Sequence, residues 1–338
     1  MLALGLICLL TSTLSGESQI GYLSVLMFLL NMFSAIQDIA VDSLAVDLLN
    51  SDELGLGNTV QVVAYKFGSL FSGGLLLYIK EYLGWTPMFV SFGSIYFIAV
   101  MLMNNLKTIT INSKSPSTSD QKSIKDNLKD IFEVDGTIWM ISFVLFYKLC
   151  ERSEQTFALY LVDKNVSKQE LAFLSSFIRA FSIIGSTFSG ILLTKAKPKD
   201  VIRKFSLVRA VSIFGLTYVI FSWGLDKSNF NTSSDILFKY LGFICICITS
   251  IGAGSVTTAT FTLMMSLSQK APNQIRGTHY ALLATCEVLG KLFFAAIAGW
   301  LTDTIGLHAI FCVFAILAIL VVPSISYAPE SVLNNKVK

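Results

Sequence analysis

Charged residues are scarce in this sequence. Asp, Glu, Lys and Arg make up 14% of its 338 residues, whereas an ordinary soluble domain has about 25%. The formal net charge is only +3, and no basic tract is interleaved with aromatic residues, which argues against a nucleic-acid partner. Hydrophobic residues reach 54% and the mean hydropathy is +0.67. The composition predicts a polytopic membrane protein whose outer surface contacts the lipid bilayer.

Histidine and grouped cysteine, the common metal ligands, are also scarce. The sequence has two histidines, His279 and His308. Six cysteines all lie in apolar runs, which predicts packing thiols rather than disulfides: Cys8, Cys150, Cys245, Cys247, Cys286 and Cys312. No histidine-containing pair has the spacing of a base beside a nucleophile. We therefore expect no metal, no cofactor and no enzyme activity.

Long apolar segments account for most of the chain. Those long enough to cross a bilayer as helices run over residues 20–49, 59–78, 85–106, 138–161, 171–193, 205–223, 237–267, 280–301 and 307–327. An earlier apolar stretch at 1–14 is too short to span. It is either a secretory signal that lacks its basic flank or the remainder of a membrane helix.

An internal repeat relates the two halves of the chain. Four pairs are each separated by 222 residues: Gly68 and Gly290, Glu81 and Asp303, Gly84 and Gly306, Phe89 and Phe311. The repeat indicates parallel duplication, and aligning the halves leaves roughly two and a half helices without a counterpart ahead of Met1. We expect an all-α membrane protein of two pseudo-symmetric helical bundles, N-terminally truncated to about ten of twelve transmembrane helices.

The repeat and the polar segments divide the chain into four parts. The remainder of the N-terminal bundle covers 1–106, a polar linker covers 107–136, the C-terminal bundle covers 137–328 and a tail covers 329–338. Basic residues concentrate in the linker, in the loops near 195–204 and 270–276, and in the tail, so the positive-inside rule makes the linker and the C-terminus cytoplasmic. Glycosylation sequons at Asn165 and Asn231 fall on the opposite side. The pattern does not distinguish an endomembrane from the plasma membrane.

Charged residues inside the predicted spans are the candidate functional residues, because each costs about 2.5–3.5 kcal/mol near the bilayer centre. They are Asp38, Asp42, Lys66, Lys148, Glu151, Arg152, Arg179, Glu287 and Lys291. Four of the cations, Lys66, Lys148, Arg179 and Lys291, stand about eight to twelve residues into their spans, near the midplane. An anionic substrate would supply the missing counter-charge.

Some of these charges have a purely structural alternative. Glu287 and Lys291 are four residues apart and could neutralise each other along one helix. Glu151 could likewise pair with Lys148 or Arg152, which leaves one surplus cation in that group. Glu151 and Glu287 could also act as proton-coupling carboxylates.

Other candidates lack a local partner. Lys66 and Arg179 have no acid nearby in sequence, which makes them the strongest substrate-binding candidates. Asp38 and Asp42 share one helix face and could pair with these cations or carry protons. Three tyrosines near the charges could stack on an adenine ring or could simply pack: Tyr65, Tyr147 and Tyr280.

The hexapeptide Gln-Asp-Ile-Ala-Val-Asp at 37–42 resembles a motif of the acetyl-coenzyme A transporter-like family of the major facilitator superfamily, which also contains a bacterial muropeptide permease. The segments 57–66, 147–151 and 278–291 are similar to the same family, and the resemblance extends over essentially the whole chain. It implies a solute carrier similar to acetyl-coenzyme A transporters, with protons as a coupling ion.

The leading hypothesis is a secondary active transporter of an organic anion that works by alternating access, with acetyl-coenzyme A as the best single candidate. Coenzyme A is polyanionic, so its phosphates would match the intramembrane cations. One alternative is a proton symporter of a saccharide or peptide conjugate. Alternatives of another class are a non-transporting membrane partner or sensor, and a membrane acyltransferase.

Overall fold

The structure, a computed structural model, describes residues 1–14, 19–50, 53–71, 82, 84–105, 124–224 and 233–333. This part of the chain is helical and contains no strand. The helices are α1 Leu2–Ser12, α2 Ile20–Leu48, α3 Leu54–Leu70, α4 Trp85–Asn105, α5 Ile124–Glu133, α6 Thr137–Phe146, α7 Arg152–Asp163, α8 Lys168–Leu193, α9 Pro198–Trp223, α10 Ser233–Ser268, α11 Arg276–Ile305, α12 Leu307–Ser324 and α13 Glu330–Leu333. Two 3-10 turns cover Leu149–Glu151 and Ile325–Tyr327.

Seven helices in the described part are long and apolar enough to cross a membrane, namely α2, α4 and α8 to α12. Helix α1 is apolar but only 11 residues long, in agreement with the prediction that 1–14 does not form a full span. Large apolar side chains on the spans are exposed, as at Phe293, which is 72% exposed. Lipid tails would solvate such a surface. The prediction of an all-α membrane protein is confirmed.

One compact unit comprises Met1–Leu44 and Phe71–Lys129. In it α1 packs on α4 around the buried side chains of Cys8, Met88 and Phe89. The Trp85 indole donates to the carbonyl of Thr11 at 3.0 Å, which satisfies a carbonyl at the C-terminal end of α1.

The other compact unit comprises Ala45–Leu70 and Asp130–Lys338. Its interior contains two large hydrophobic clusters, one around Phe157 and Phe311 and one around Met264, and a small third cluster around Ala271 and Ile275. Helix α3 packs on α8 and α10 within this unit. The sequence assigned residues 45–70 to the N-terminal bundle, and the four-part division of the chain stays a prediction.

One of the repeated glycine pairs, Gly84 and Gly306, takes the same backbone conformation at both positions. Gly84 and Gly306 have φ angles of 80° and 84°, and each directly precedes a helix. A side chain is disfavoured at such an angle, so the glycine at both positions has a backbone reason. The repeat partner Glu81 and most of the predicted linker, residues 106–123, lie outside the described residues; the rest of the linker includes α5.

Candidate functional site

The candidate site lies at a break in the span predicted for 138–161. Helices α6 and α7 are separated there by the 3-10 turn Leu149–Glu151. A break leaves backbone carbonyls without helical donors, and in lipid they need other partners. Arg209 on α9 is fully buried and donates from Nη2 to the Tyr147 carbonyl at 2.9 Å and from Nη1 to Glu151 Oε1 at 3.1 Å. One guanidinium therefore satisfies both a freed carbonyl and a carboxylate.

A second buried ion pair joins the break to α11. Lys148 Nζ contacts Glu287 Oε1, and the two side chains are 11% and 3% exposed. Tyr147 Oη donates to the same carboxylate oxygen at 3.3 Å. Glu287 thus pairs with a lysine at the break and not with Lys291, so the alternative of a Glu287–Lys291 pair along α11 is wrong. Lys291 is exposed and makes no ion pair in the part of the chain that the structure describes.

Lys66 on α3 is held by hydroxyl groups of α8 and not by a carboxylate. Its Nζ donates to Ser182 Oγ at 2.8 Å, to Ser186 Oγ at 2.6 Å and to the Ser182 carbonyl at 3.3 Å. Arg179 is half-buried and lies three residues before Ser182, so the two project from neighbouring positions of α8. In the described part of the chain, neither Lys66 nor Arg179 has an ion-pair partner. Lys66 therefore contacts α8 one turn beyond the position from which Arg179 projects.

The serines of this face are positioned by a close crossing of α8 and α10. Ser186 Oγ lies 3.1 Å from the carbonyl of Gly254, and Ser189 Oγ donates to the carbonyl of Ser255 at 3.0 Å. A Cβ atom on Gly254 would stand 2.2 Å from the Ser182 carbonyl oxygen, so only glycine permits this approach. The helix crossing thereby fixes the hydroxyls that hold the Lys66 ammonium.

Glu154 on α7 completes the cluster. Its Oε1 accepts a hydrogen bond from Ser250 Oγ on α10 at 2.9 Å, and no cation of the described residues is within ion-pair distance. The cluster contains three bases and three acids: Lys66, Lys148, Arg209, Glu151, Glu154 and Glu287. Its formal charge is zero when all six side chains are ionised.

Four other predicted site residues are not members of this cluster of six charged side chains. Arg152 contacts Gln155 of its own helix. Tyr65 is 76% exposed, although it adjoins Lys66, because successive helical residues point in different directions. Tyr147 and Tyr280 are fully buried, and a fully buried ring presents no face to a ligand.

The predicted carboxylates of α2 belong to the first unit. Asp38 is exposed and Asp42 is half-buried. Their role as partners of cations or as proton carriers stays a prediction.

The two sequons also stay predictions. Asn165 is exposed in the turn between α7 and α8 with a φ of 60°, and the hydroxyl of Ser167, the third residue of its sequon, caps α8 by accepting a backbone N–H at 3.2 Å. Asn231 lies outside the described residues.

Sequence reasoning missed Arg209 and Glu154. Both satisfy the criterion that identified the other candidates, since they are charged residues within the predicted spans 205–223 and 138–161. Counting every charge in each span would have found them.

Comparison with known proteins agrees with this architecture. Residues 1–271 match the family model described as Major Facilitator Superfamily. An uncharacterised protein of Haemophilus influenzae is 25% identical over 92% of this chain and 73% of its own length. The anhydromuropeptide permease of Escherichia coli is 24% identical over 87% of this chain, and the match spans only 57% of the permease. Neither is described as an acetyl-coenzyme A transporter.

Solved structures show the same fold at low sequence identity. The transporter FucP in its outward conformation aligns with a TM-score of 0.72 and 12% identity, covering 97% of this chain and 81% of its own. The proton:xylose symporter XylE aligns with a TM-score of 0.71 and 12% identity, covering 97% of this chain and 79% of its own. At these identities the likeness concerns the fold alone. By the family match over most of its length, the chain belongs to the Major Facilitator Superfamily.

Proposed function

We propose that this chain is a secondary transporter of an organic anion. The observation that carries the proposal is the Lys66 ammonium, which two serine hydroxyls and a carbonyl of α8 hold and which has no ion-pair partner in the described residues. Arg179 projects from α8 one turn before Ser182 and likewise has no ion-pair partner there. A cation held only by hydroxyls inside a membrane protein is expensive unless an anion binds it during the functional cycle. The substrate would bind there and cross the membrane by alternating access of the two helical bundles.

Two substrates deserve direct comparison. Acetyl-coenzyme A remains our first candidate because its phosphates can take the hydrogen bonds of both a lysine and an arginine. The segments at 57–66 and 278–291, which resemble major facilitator superfamily domain-containing protein 3 within the acetyl-coenzyme A transporter-like family, motivate the same choice. The relative from Escherichia coli is named an anhydromuropeptide permease, which favours a saccharide–peptide conjugate. Neither candidate is preferred by the geometry of the cluster.

Uptake into proteoliposomes tests the proposal. The reconstituted full chain is offered labelled acetyl-coenzyme A or a labelled anhydromuropeptide. Uptake by the Lys66→Ala/Arg179→Ala double variant should be at least about tenfold lower than uptake by the wild type, since each lost charge-assisted contact contributes about 1.5–3 kcal/mol. The matched control is Lys195→Ala/Arg203→Ala, which removes two cations at the polar connection between α8 and α9. Uptake that is unchanged in the first double variant would remove Lys66 and Arg179 from the proposal.

The same preparation separates the other function classes. A sensor or partner would bind one of these compounds without net uptake. An acyltransferase would form product without accumulating substrate. Internal acidification during uptake would identify protons as the coupling ion, the role proposed above for the intramembrane carboxylates.

A further inference from the structure

Two opposite charges of the cluster have no ion pair of their own. Arg209 pairs with Glu151, and Lys148 pairs with Glu287. Lys66 and Glu154 remain, and in the described residues each is hydrogen-bonded only to neutral groups. The two sites adjoin on α10: Ser186, which accepts from Lys66, contacts the carbonyl of Gly254, and Ser250, which donates to Glu154, lies one turn before Gly254.

Both of these side chains can still be reached. Lys66 and Glu154 are half-buried, as are Lys148 and Glu151 of the two ion pairs, so the difference lies in their partners. The two closed ion pairs would cost several kcal/mol to open, because each leaves an uncompensated charge behind. A ligand therefore meets least resistance at Lys66, and a proton meets least resistance at Glu154.

We propose that Glu154 is the built-in counter-anion of Lys66, and that an anionic substrate binds Lys66 when one proton has neutralised the Glu154 carboxylate. This inference rests on the proposed function, because it assigns the proton to the same anion site. The step is balanced: the proton adds one positive charge, the anionic group of the substrate adds one negative charge, and the cluster stays neutral. No covalent bond other than the carboxyl O–H is formed.

The surroundings of Glu154 explain why this acid, and not a neighbour, takes the proton. The charged and titratable groups that act on it come from several elements: Lys66 on α3, Glu151 in the 3-10 turn, Arg209 on α9 and Cys247 on α10. Glu151, the nearest acid in sequence, already accepts from the Arg209 guanidinium. Among the described residues Glu154 is hydrogen-bonded to the Ser250 hydroxyl, which can donate to a carboxylate and can equally accept from a carboxylic acid.

Binding measured against pH tests the inference. The purified full chain in lipid nanodiscs is titrated with acetyl-coenzyme A and with an anhydromuropeptide by calorimetry, from mildly acidic to mildly alkaline pH. If one proton binds with the anion, the Kd of the wild type rises with pH, by up to about tenfold per pH unit. Glu154→Gln should keep the low-pH affinity at every pH, and thus bind more tightly than the wild type at the alkaline end. A misfolded variant cannot produce that gain.

Two further variants and one ligand-free measurement complete the design. Glu154→Asp keeps a carboxyl group and should keep the pH dependence. Glu170→Gln removes a carboxylate outside the cluster, whose Oε1 lies 2.9 Å from Lys239 Nζ, and should also keep the pH dependence. This variant controls for the titration of the ligand itself. Infrared spectra of the ligand-free protein should show a protonated carboxyl band that titrates in the wild type and is absent from Glu154→Gln.

The outcomes distinguish the two claims. If neither anion binds the wild type at any pH, the proposed function fails and this inference fails with it. If an anion binds and Glu154→Gln shows the same dependence on pH as the wild type, the inference alone is overturned.

Discussion

Removal of one partner from the Lys148–Glu287 pair should destabilise the protein strongly. The side chains are 11% and 3% exposed, so Lys148→Met or Glu287→Leu leaves a buried charge without its counter-ion. Breaking a buried ion pair in this way costs about 3–5 kcal/mol. Glu287 also accepts from Tyr147 Oη, so the Glu287 variant additionally leaves a buried hydroxyl without its acceptor. We therefore expect Glu287→Leu to be at least as costly as Lys148→Met.

The double variant Lys148→Met/Glu287→Leu separates the pair from the packing around it. Replacing both charges by apolar groups of similar volume removes the desolvation cost together with the attraction. The double variant should therefore cost only about 1–3 kcal/mol, the penalty of the Tyr147 hydroxyl that still lacks its acceptor. The free energy of unfolding is measured in mixed micelles for all four proteins, and the coupling energy follows from the double-mutant cycle. The exposed pair Arg203–Asp200, whose side chains are 51% and 44% exposed, is the control and should couple by at most about 1 kcal/mol.

The reasoning is refuted by either of two results. Single variants at Lys148 and Glu287 that cost no more than those at Arg203 and Asp200 would show that the pair is not desolvated. Costs that simply add in the double variant would show that the two charges do not stabilise each other.

Two other predictions concern the packing of α10. Gly254→Ala should lower the free energy of unfolding by about 1–3 kcal/mol because its Cβ would stand 2.2 Å from the Ser182 carbonyl oxygen, while Gly299→Ala, which meets open space, should be neutral or slightly stabilising. Asn58→Ala should cost about 1–3 kcal/mol, since the buried amide donates at 2.8 Å to a backbone carbonyl of α10, whereas Asn31→Ala at an exposed site should change stability by less than about 0.5 kcal/mol. Both are checked in the mixed-micelle assay, and equal effects in variant and control would contradict them.

A single residue in its span carries part of the information. A lysine or arginine deep in an apolar run needs a polar neighbour, and on that argument Lys66, Lys148 and Arg179 are candidates from the sequence. Lys66 and Lys148 have such partners in the structure, and a substrate-binding role for any of the three stays a prediction. The sequence could not supply the partners. Glu287 has Lys291 four residues along its helix, yet its ion pair is with Lys148 on a separate element, because contacts between helices depend on packing that spacing along one helix does not encode.

The break between α6 and α7 was also beyond the sequence. Residues 138–161 form one apolar run without proline or glycine, the usual causes of a kink, and hydropathy predicts a single helix there. The break is accompanied by a tertiary contact, since Arg209 from α9 supplies the donors that the interrupted carbonyl of Tyr147 needs. The residue that satisfies the interrupted carbonyl is therefore an arginine on another helix, outside the span that is broken.

The strengths of these contacts differ in a way that suits a transporter. Lys148–Glu287 and Arg209–Glu151 join elements that all lie between residues 137 and 305, and a buried pair of this kind costs about 3–5 kcal/mol to break. Lys66 on α3 is held to α8 by hydrogen bonds to neutral acceptors, each with a net value of about 1.5–3 kcal/mol because the donor is charged, and an anion can replace them. A movement of α3 relative to α8 during alternating access would therefore exchange the hydroxyl contacts of Lys66 and leave both ion pairs intact.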